Sequence, residues 1–95
     1  MTMHYLYILY SKSVSRYYVG ETSDIDNRLS QHNAHYFYKS FTKSAEDWEV
    51  VLSKKCSTKA DSVYLERFIK RMKSSKFIEK IIEDRKILDE ILLKK

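Results

Sequence analysis

The chain has 95 residues, 43% hydrophobic and 33% charged, with a formal net charge of +5. That balance suits one soluble folded domain and excludes a disordered chain or two separate cores, and the longest apolar run, Tyr5–Tyr10, is far too short to cross a bilayer. The first residues lack the basic start and small-residue cleavage site of a secretory leader, and the single cysteine, Cys56, leaves no intramolecular disulfide, so a reducing cytoplasm is the expected compartment.

His4 to Tyr10 is dense in Tyr, Ile and Leu and shows no polar alternation after His4, which predicts a strand covered on both faces. Ser11 to Ser15 is a polar turn. Arg16 to Gly20 is a second β-prone run, so the two form an antiparallel hairpin. Gly20 is the only glycine, and the chain has no proline. A glycine at that point serves either a backbone turn with positive φ or the close approach of another group, and the residues leave both open. Ser23, with Asp26 three residues on, predicts a helix start. Ile25 to Asn33 follows as a short helix with Ile25, Leu29 and His32 along one face.

Ala34 to Asp47 reads as mostly loop. Trp48 to Cys56 predicts a third strand, with Trp48, Val50 and Leu52 on one face and Glu49, Val51 and Ser53 on the other. Thr58 and Asp61 open a second helix, whose apolar stripe is Leu65, Phe68, Ile69 and Met72. Ser74 and Ser75 interrupt it, and Lys76 to Leu93 resumes as one long helix or two. The order ββαβαα predicts an α+β fold, a small three-stranded antiparallel sheet flanked by helices. It is expected as a single domain over residues 1–95, with residues 76–95 a helical extension of that domain.

The charge is unevenly spread. Residues 1–50 carry five Lys/Arg and six Asp/Glu, and residues 51–95 carry thirteen against seven. Between Lys54 and Lys76 there are eight basic residues against Asp61 and Glu66, so this stretch alone, at +6, accounts for the excess. A basic stripe is the footprint of a polyanion binder, and a solvated helix face is the plainer alternative.

Several polar residues fall near the sheet. Arg28 and His32 are neighbours at i, i+4 and flank Ile25 and Leu29, the positions that face the strands. A cation and an imidazole there need a cleft or partners. Tyr7 and Tyr18, on the paired strands, can reach the same place. Glu66 lies at the edge of the second helix's apolar face. Singly, each has a plain reading: Glu66 can pair with Lys70 one turn on, His32 can favour the helix dipole, and tyrosines are good strand formers.

Order and spacing add to this. "YLYILY", then "YYVG", then "TSDIDNRLSQHN", then "VYLERFIKRMKSSK" resembles the GIY-YIG nuclease superfamily, in particular its small single-domain members of the predicted-endonuclease type. The resemblance covers roughly Tyr5 to Ile82. Tyr5-Leu6-Tyr7 stands where Gly-Ile-Tyr is usual, and Tyr18-Val19-Gly20 is nearly intact. Arg28 follows the glycine by eight residues and His32 follows Arg28 by four, as in the family. Glu66 matches the family's helix glutamate. Glu21 stands where some relatives have lysine, and Ile78 lies where a downstream asparagine occurs in excision-repair members.

The resemblance implies an endonuclease that cuts phosphodiesters with one divalent ion, Mg²⁺ or Mn²⁺, held by Glu66 as the only protein ligand. Arg28 is then expected to hold a phosphate oxygen, Tyr7 to activate the attacking water and Tyr18 to orient it, with those two roles exchangeable. His32 is expected to accept the proton or bind phosphate, and Gly20 to end the second strand beside the site. DNA, branched or damaged and met in repair or recombination, ranks ahead of RNA as substrate. Lys54, Lys55, Lys59, Lys70, Arg71, Lys73 and Lys76 are the expected nucleic-acid contacts. No membrane is involved, and the chain is expected to be a monomer or weak dimer with a protein partner for targeting as an option. The alternatives are a binding module of the same fold without cleavage, and an interaction domain that docks through the helical tail.

Overall fold

The structure, a computed structural model, describes residues 3–33 and 45–95. The hairpin forms as the sequence predicts, from β1 (His4–Ser11) and β2 (Arg16–Thr22). Then come α1 (Ile25–Asn33), β3 (Glu49–Cys56), α2 (Lys59–Met72), α3 (Ser75–Glu83) and α4 (Lys86–Leu93). Most of the segment expected to be loop, residues 34–44, lies outside the described residues.

β1 is the central strand of an antiparallel sheet in the order β2-β1-β3. Because side chains alternate along a strand, Leu6 and Ile8 enter one layer and Tyr7 and Leu9 the other. All four are buried. Leu6 and Ile8 join Val19, Leu52 and Cys56 under Leu65 and Ile69 of α2, Ile81 of α3, and Leu88 and Ile91 of α4. Tyr7 and Leu9 pack with Trp48 and Ala45 beneath Ile25 and Leu29 of α1. The sheet is thus the middle of three layers, which explains why β1 shows no polar alternation. Ile81, Leu88 and Ile91 place the C-terminal helices inside the main core, so the tail caps the sheet.

Three details depart from the sequence expectation. The cap of α1 is Asp24, whose Oδ1 accepts from Asn27 N at 3.1 Å, while Thr22 Oγ1 accepts from Asp24 N at 3.1 Å; Ser23 is passed over. In β3, Ile8 pairs with Leu52 but Leu9 pairs with Val50, so Val51 is an extra residue opposite β1. That bulge switches the side-chain alternation. Trp48 and Val50 face α1, while Leu52 faces α2, instead of all three sharing a face. Met72, expected in the stripe of α2, is 47% exposed at the helix's last turn. Of the two options the sequence left open for the tail, the structure has two helices, broken at Asp84, whose Oδ1 accepts from Lys86 N at 3.2 Å.

The cap of α2 follows the sequence, and Ser74, read only as an interruption, caps α3. Thr58 accepts from Asp61 N, and Ser74 accepts from Phe77 N. Between them Lys73 ends α2 in the left-handed conformation, φ 48°, where its N–H closes on the Lys70 carbonyl.

Candidate active site

The site begins with a cross-strand pair. Tyr7 of β1 lies opposite Gly20 of β2, with its ring drawn across the glycine. A Cβ at Gly20 would stand 2.6 Å from the Tyr7 Oη, 2.7 Å from Cζ and 2.9 Å from Cε1. Gly20 does not have positive φ, and β2 continues past it to Thr22. Of the two readings of Gly20, the turn that ends the strand is replaced and the close approach holds: an aromatic ring occupies the place of its side chain.

The Tyr7 hydroxyl reaches His32 on the last turn of α1, Oη to Nε2, at 3.0 Å. Both side chains are buried. What brings His32 there is local. Leu29 and Ile25 anchor α1 on the sheet, and Asn33 fastens its end to β3, accepting from Trp48 N at 2.8 Å and donating to the Trp48 carbonyl at 3.1 Å. Tyr18 completes an aromatic group, its ring centroid 4.7 Å from that of His32 and 6.3 Å from that of Tyr7.

From Tyr18 the chemistry continues to α2. The Lys70 ammonium sits 5.5 Å from the centre of the Tyr18 ring and 2.7 Å from Glu66 Oε2. The plain reading of Glu66, a partner for Lys70 one turn away, is therefore what the geometry has, and the same lysine lies over the Tyr18 ring. Elements β1, β2, α1 and α2 thus bring Tyr7, Tyr18, Arg28, His32 and Glu66 into one electrostatic neighbourhood.

The titration behaviour reports that neighbourhood. Burial pushes the Tyr7 phenol well above its ordinary range; Tyr18, Glu66 and Glu21 add to the rise and Arg28 opposes it. Burial lowers His32 to about 4, helped by the Arg28 cation one turn earlier. Near neutral pH the pair is therefore a neutral phenol beside a neutral imidazole.

A family model described as the GIY-YIG catalytic domain matches residues 3–80. The chain belongs to the GIY-YIG family. GIY-YIG domains are nuclease domains and act on nucleic acid. The three-stranded sheet and its helices have the order of that fold. Neither a curated protein nor a solved structure matches the chain. No helix among the described residues is long and apolar enough to cross a membrane.

The seven basic residues expected to contact nucleic acid do not share one face of this GIY-YIG domain. Lys54 bonds Asp89 of α4 at 2.7 Å, and Lys55 is exposed on β3. Lys59 and Arg71 form a row on α2 with Arg67, at four- and eight-residue spacings, around a hollow that Lys95 also lines. Lys70 and Lys73 lie on another side of α2, towards β2, and Lys76 is exposed on α3.

Two contributors escaped the sequence reading. Glu21 appears there only as a departure from the family, yet its Oε2 lies 3.2 Å from His4 Nδ1 and accepts from the buried Ser62 hydroxyl at 3.4 Å, within electrostatic reach of Tyr7. Asp47 grips the hairpin turn, accepting from Ser11 Oγ at 2.5 Å, Ser13 Oγ at 2.8 Å and Ser13 N at 3.0 Å. These serine hydrogen bonds hold its carboxyl at about 2. Neither contact leaves a motif, because the partners are far apart in the chain.

Proposed function

We infer that this GIY-YIG domain is a divalent-metal-dependent endonuclease that hydrolyses phosphodiester bonds in DNA, ahead of RNA, with branched or damaged DNA of repair or recombination as the intended class. The observation that carries the reading is the Tyr7–His32 hydrogen bond, set beside Tyr18, Arg28 and Glu66 in a chain whose family is nucleolytic.

Glu66 suits a divalent ion by its chemistry. Its side chain is 22% exposed, and its partner Lys70 is a half-exposed lysine whose surface pairing contributes little and is readily exchanged. Mg²⁺ keeps several waters and commonly takes one or two carboxylates plus phosphate oxygens. Among the described residues there is no group of three or more His, Cys, Asp or Glu to enclose an ion, so Glu66 would hold it with phosphate and water. When bound, the ion supplies charge neutralisation at the phosphate and the leaving oxygen.

The protein's own residues divide the remaining work. Arg28 offers a planar fork of donors to a non-bridging phosphate oxygen. Tyr7 orients the attacking water and passes its own hydroxyl proton to His32 Nε2 as it receives one from the water. A free phenolate is not needed, which suits a phenol whose pKa burial raises. His32, neutral in the resting state, becomes a stronger base as an anionic phosphate approaches and offsets Arg28. Tyr18 packs against His32 and holds its plane.

The Glu66–Lys70 ion pair favours a second reading: a nucleic-acid-binding module whose carboxylate is already neutralised and which does not cut. One experiment separates the two. Supercoiled plasmid, labelled branched DNA and RNA are incubated with Mg²⁺ or Mn²⁺ and with EDTA, beside Glu66→Ala and Arg28→Ala. Metal-dependent cutting lost in both folded variants supports the nuclease. Cutting that survives Glu66→Ala overturns the site. Salt-sensitive binding without cutting supports the module.

A further inference from the structure

The open flank of β2 holds a groove of about 620 Å³, between that edge strand and the junction of α2 with α3. It falls in the size range of small-ligand sites, about 300–1,000 Å³. Two aromatic rings form part of its wall: Tyr10 and Tyr17, cross-strand partners with centroids 4.8 Å apart. Arg16, Lys73 and Lys70, the last paired with Glu66, line it, and Glu79 is the one acidic residue in its lining. The groove is also continuous with the candidate active site. Tyr18 and Lys70 line it while touching, respectively, the His32 ring and the Glu66 carboxylate.

These features fit one occupant. We propose that the groove takes an unpaired nucleotide of the substrate next to the scissile phosphate, its base stacked on Tyr17 and Tyr10 and its phosphate met by Lys73 and Arg16. The proposal rests on the nuclease reading for its position in the substrate. Charge complementarity selects a polyanion, and the aromatic wall selects a base that has left its stack. Base faces in a duplex are already covered by neighbouring bases, so stacking on a protein ring is available to single strands or extruded nucleotides. Substrate with an unpaired residue beside the cut is the class that results. The Tyr17 phenol, raised by burial with help from Glu79, stays neutral and keeps the wall uncharged.

The test is a binding measurement in EDTA, where nothing is cut. A fluorescein-labelled oligothymidylate and a blunt duplex of equal length are titrated by fluorescence anisotropy across a salt series. Wild-type protein is expected to favour the single strand. Tyr17→Leu keeps apolar packing and removes the stacking face, and binding should weaken roughly tenfold. Tyr17→Phe should restore it. Lys73→Asn preserves a residue type that tolerates left-handed backbone and removes one charge; the slope of log affinity against log salt should shrink by about 0.7. Lys86→Ala, on the exposed start of α4, should change neither. Equal affinity for duplex and single strand, or wild-type binding by folded Tyr17→Leu and Lys73→Asn, overturns the proposal. Cutting assayed in parallel with Mn²⁺ keeps the two readings apart. Binding through Tyr17 and Lys73 without cutting would sink the nuclease and leave the groove, and cutting without their involvement would do the reverse.

Discussion

The Tyr7 ring occupies the space where Gly20 would carry a side chain, with its hydroxyl only 2.6 Å from the position of that missing Cβ. Tyr7 is 2% exposed and bonded to His32, so the ring has no free direction in which to retreat. Gly20→Ala is therefore expected to destabilise the fold by about 1–3 kcal/mol through overpacking, and to reduce cleavage further by moving the phenol off His32. Urea unfolding and a cleavage assay on the same protein check this. Unchanged stability would mean that Tyr7 is not held against the glycine.

Tyr7→Phe separates the hydroxyl from the ring. It removes the hydroxyl's hydrogen bond to the buried His32 imidazole, which costs about 1–3 kcal/mol. If the hydroxyl relays a proton, the cleavage rate drops by a further ~10²–10⁴-fold. Tyr18→Phe, whose ring packing survives, should lose less. Single-turnover rates decide the matter, and a larger loss in Tyr18→Phe would exchange the two roles.

His32 should titrate near pH 4 when followed by its ring-proton NMR shifts, far below an ordinary histidine. Arg28→Gln removes a cation that opposes the imidazolium, so it should raise that value. The sign for stability follows. Between about pH 6.5 and 4 the unfolded chain binds a proton at His32 that the folded chain refuses, so stability falls as the pH is lowered through this window, by about 3 kcal/mol in all. Chemical denaturation at pH 7, 5.5 and 4 measures the slope. A slope that is the same in a His32→Gln protein would assign it elsewhere.

Asn33 forms two hydrogen bonds with the backbone of Trp48 and so ties the end of α1 to β3. Asn33→Ala should cost about 1–3 kcal/mol, since it removes both of its hydrogen bonds to the Trp48 backbone. Its more telling effect is on His32, the preceding residue. With the helix end loosened and water admitted, the His32 titration should move up towards the ordinary range. Lost stability with an unmoved titration would show that Asn33 supports the fold without positioning the imidazole.

Much of this was legible in one dimension. β1 reads as doubly covered because Leu6, Tyr7, Ile8 and Leu9 leave no polar position between them, and both layers are present. Ser74, read only as an interruption, is the cap of α3, whereas the helix start at Thr58 was readable because a cap is local chemistry. The cap at Asp24 was not, because Ser23 and Asp24 are both good cap residues and the choice fell to how Thr22 closes the turn. The face of Leu52 was hidden for a different reason. A bulge is a relation between two strands, and nothing in β3 alone says that Val51 has no partner on β1.

The amino-acid sequence by itself determined the element order and the family, because each depends on order and spacing along the chain, and its resemblance to that family nominated five candidate residues. Only tertiary structure decided what those residues do to one another. It showed that Gly20 makes room for a ring and does not turn the chain. It put His32 in a dry place that keeps it neutral, and it divided a continuous basic run among several faces. The physical reason is common to all three. Steric overlap, desolvation and charge act between atoms close in space, and here those atoms come from strands and helices far apart in the chain.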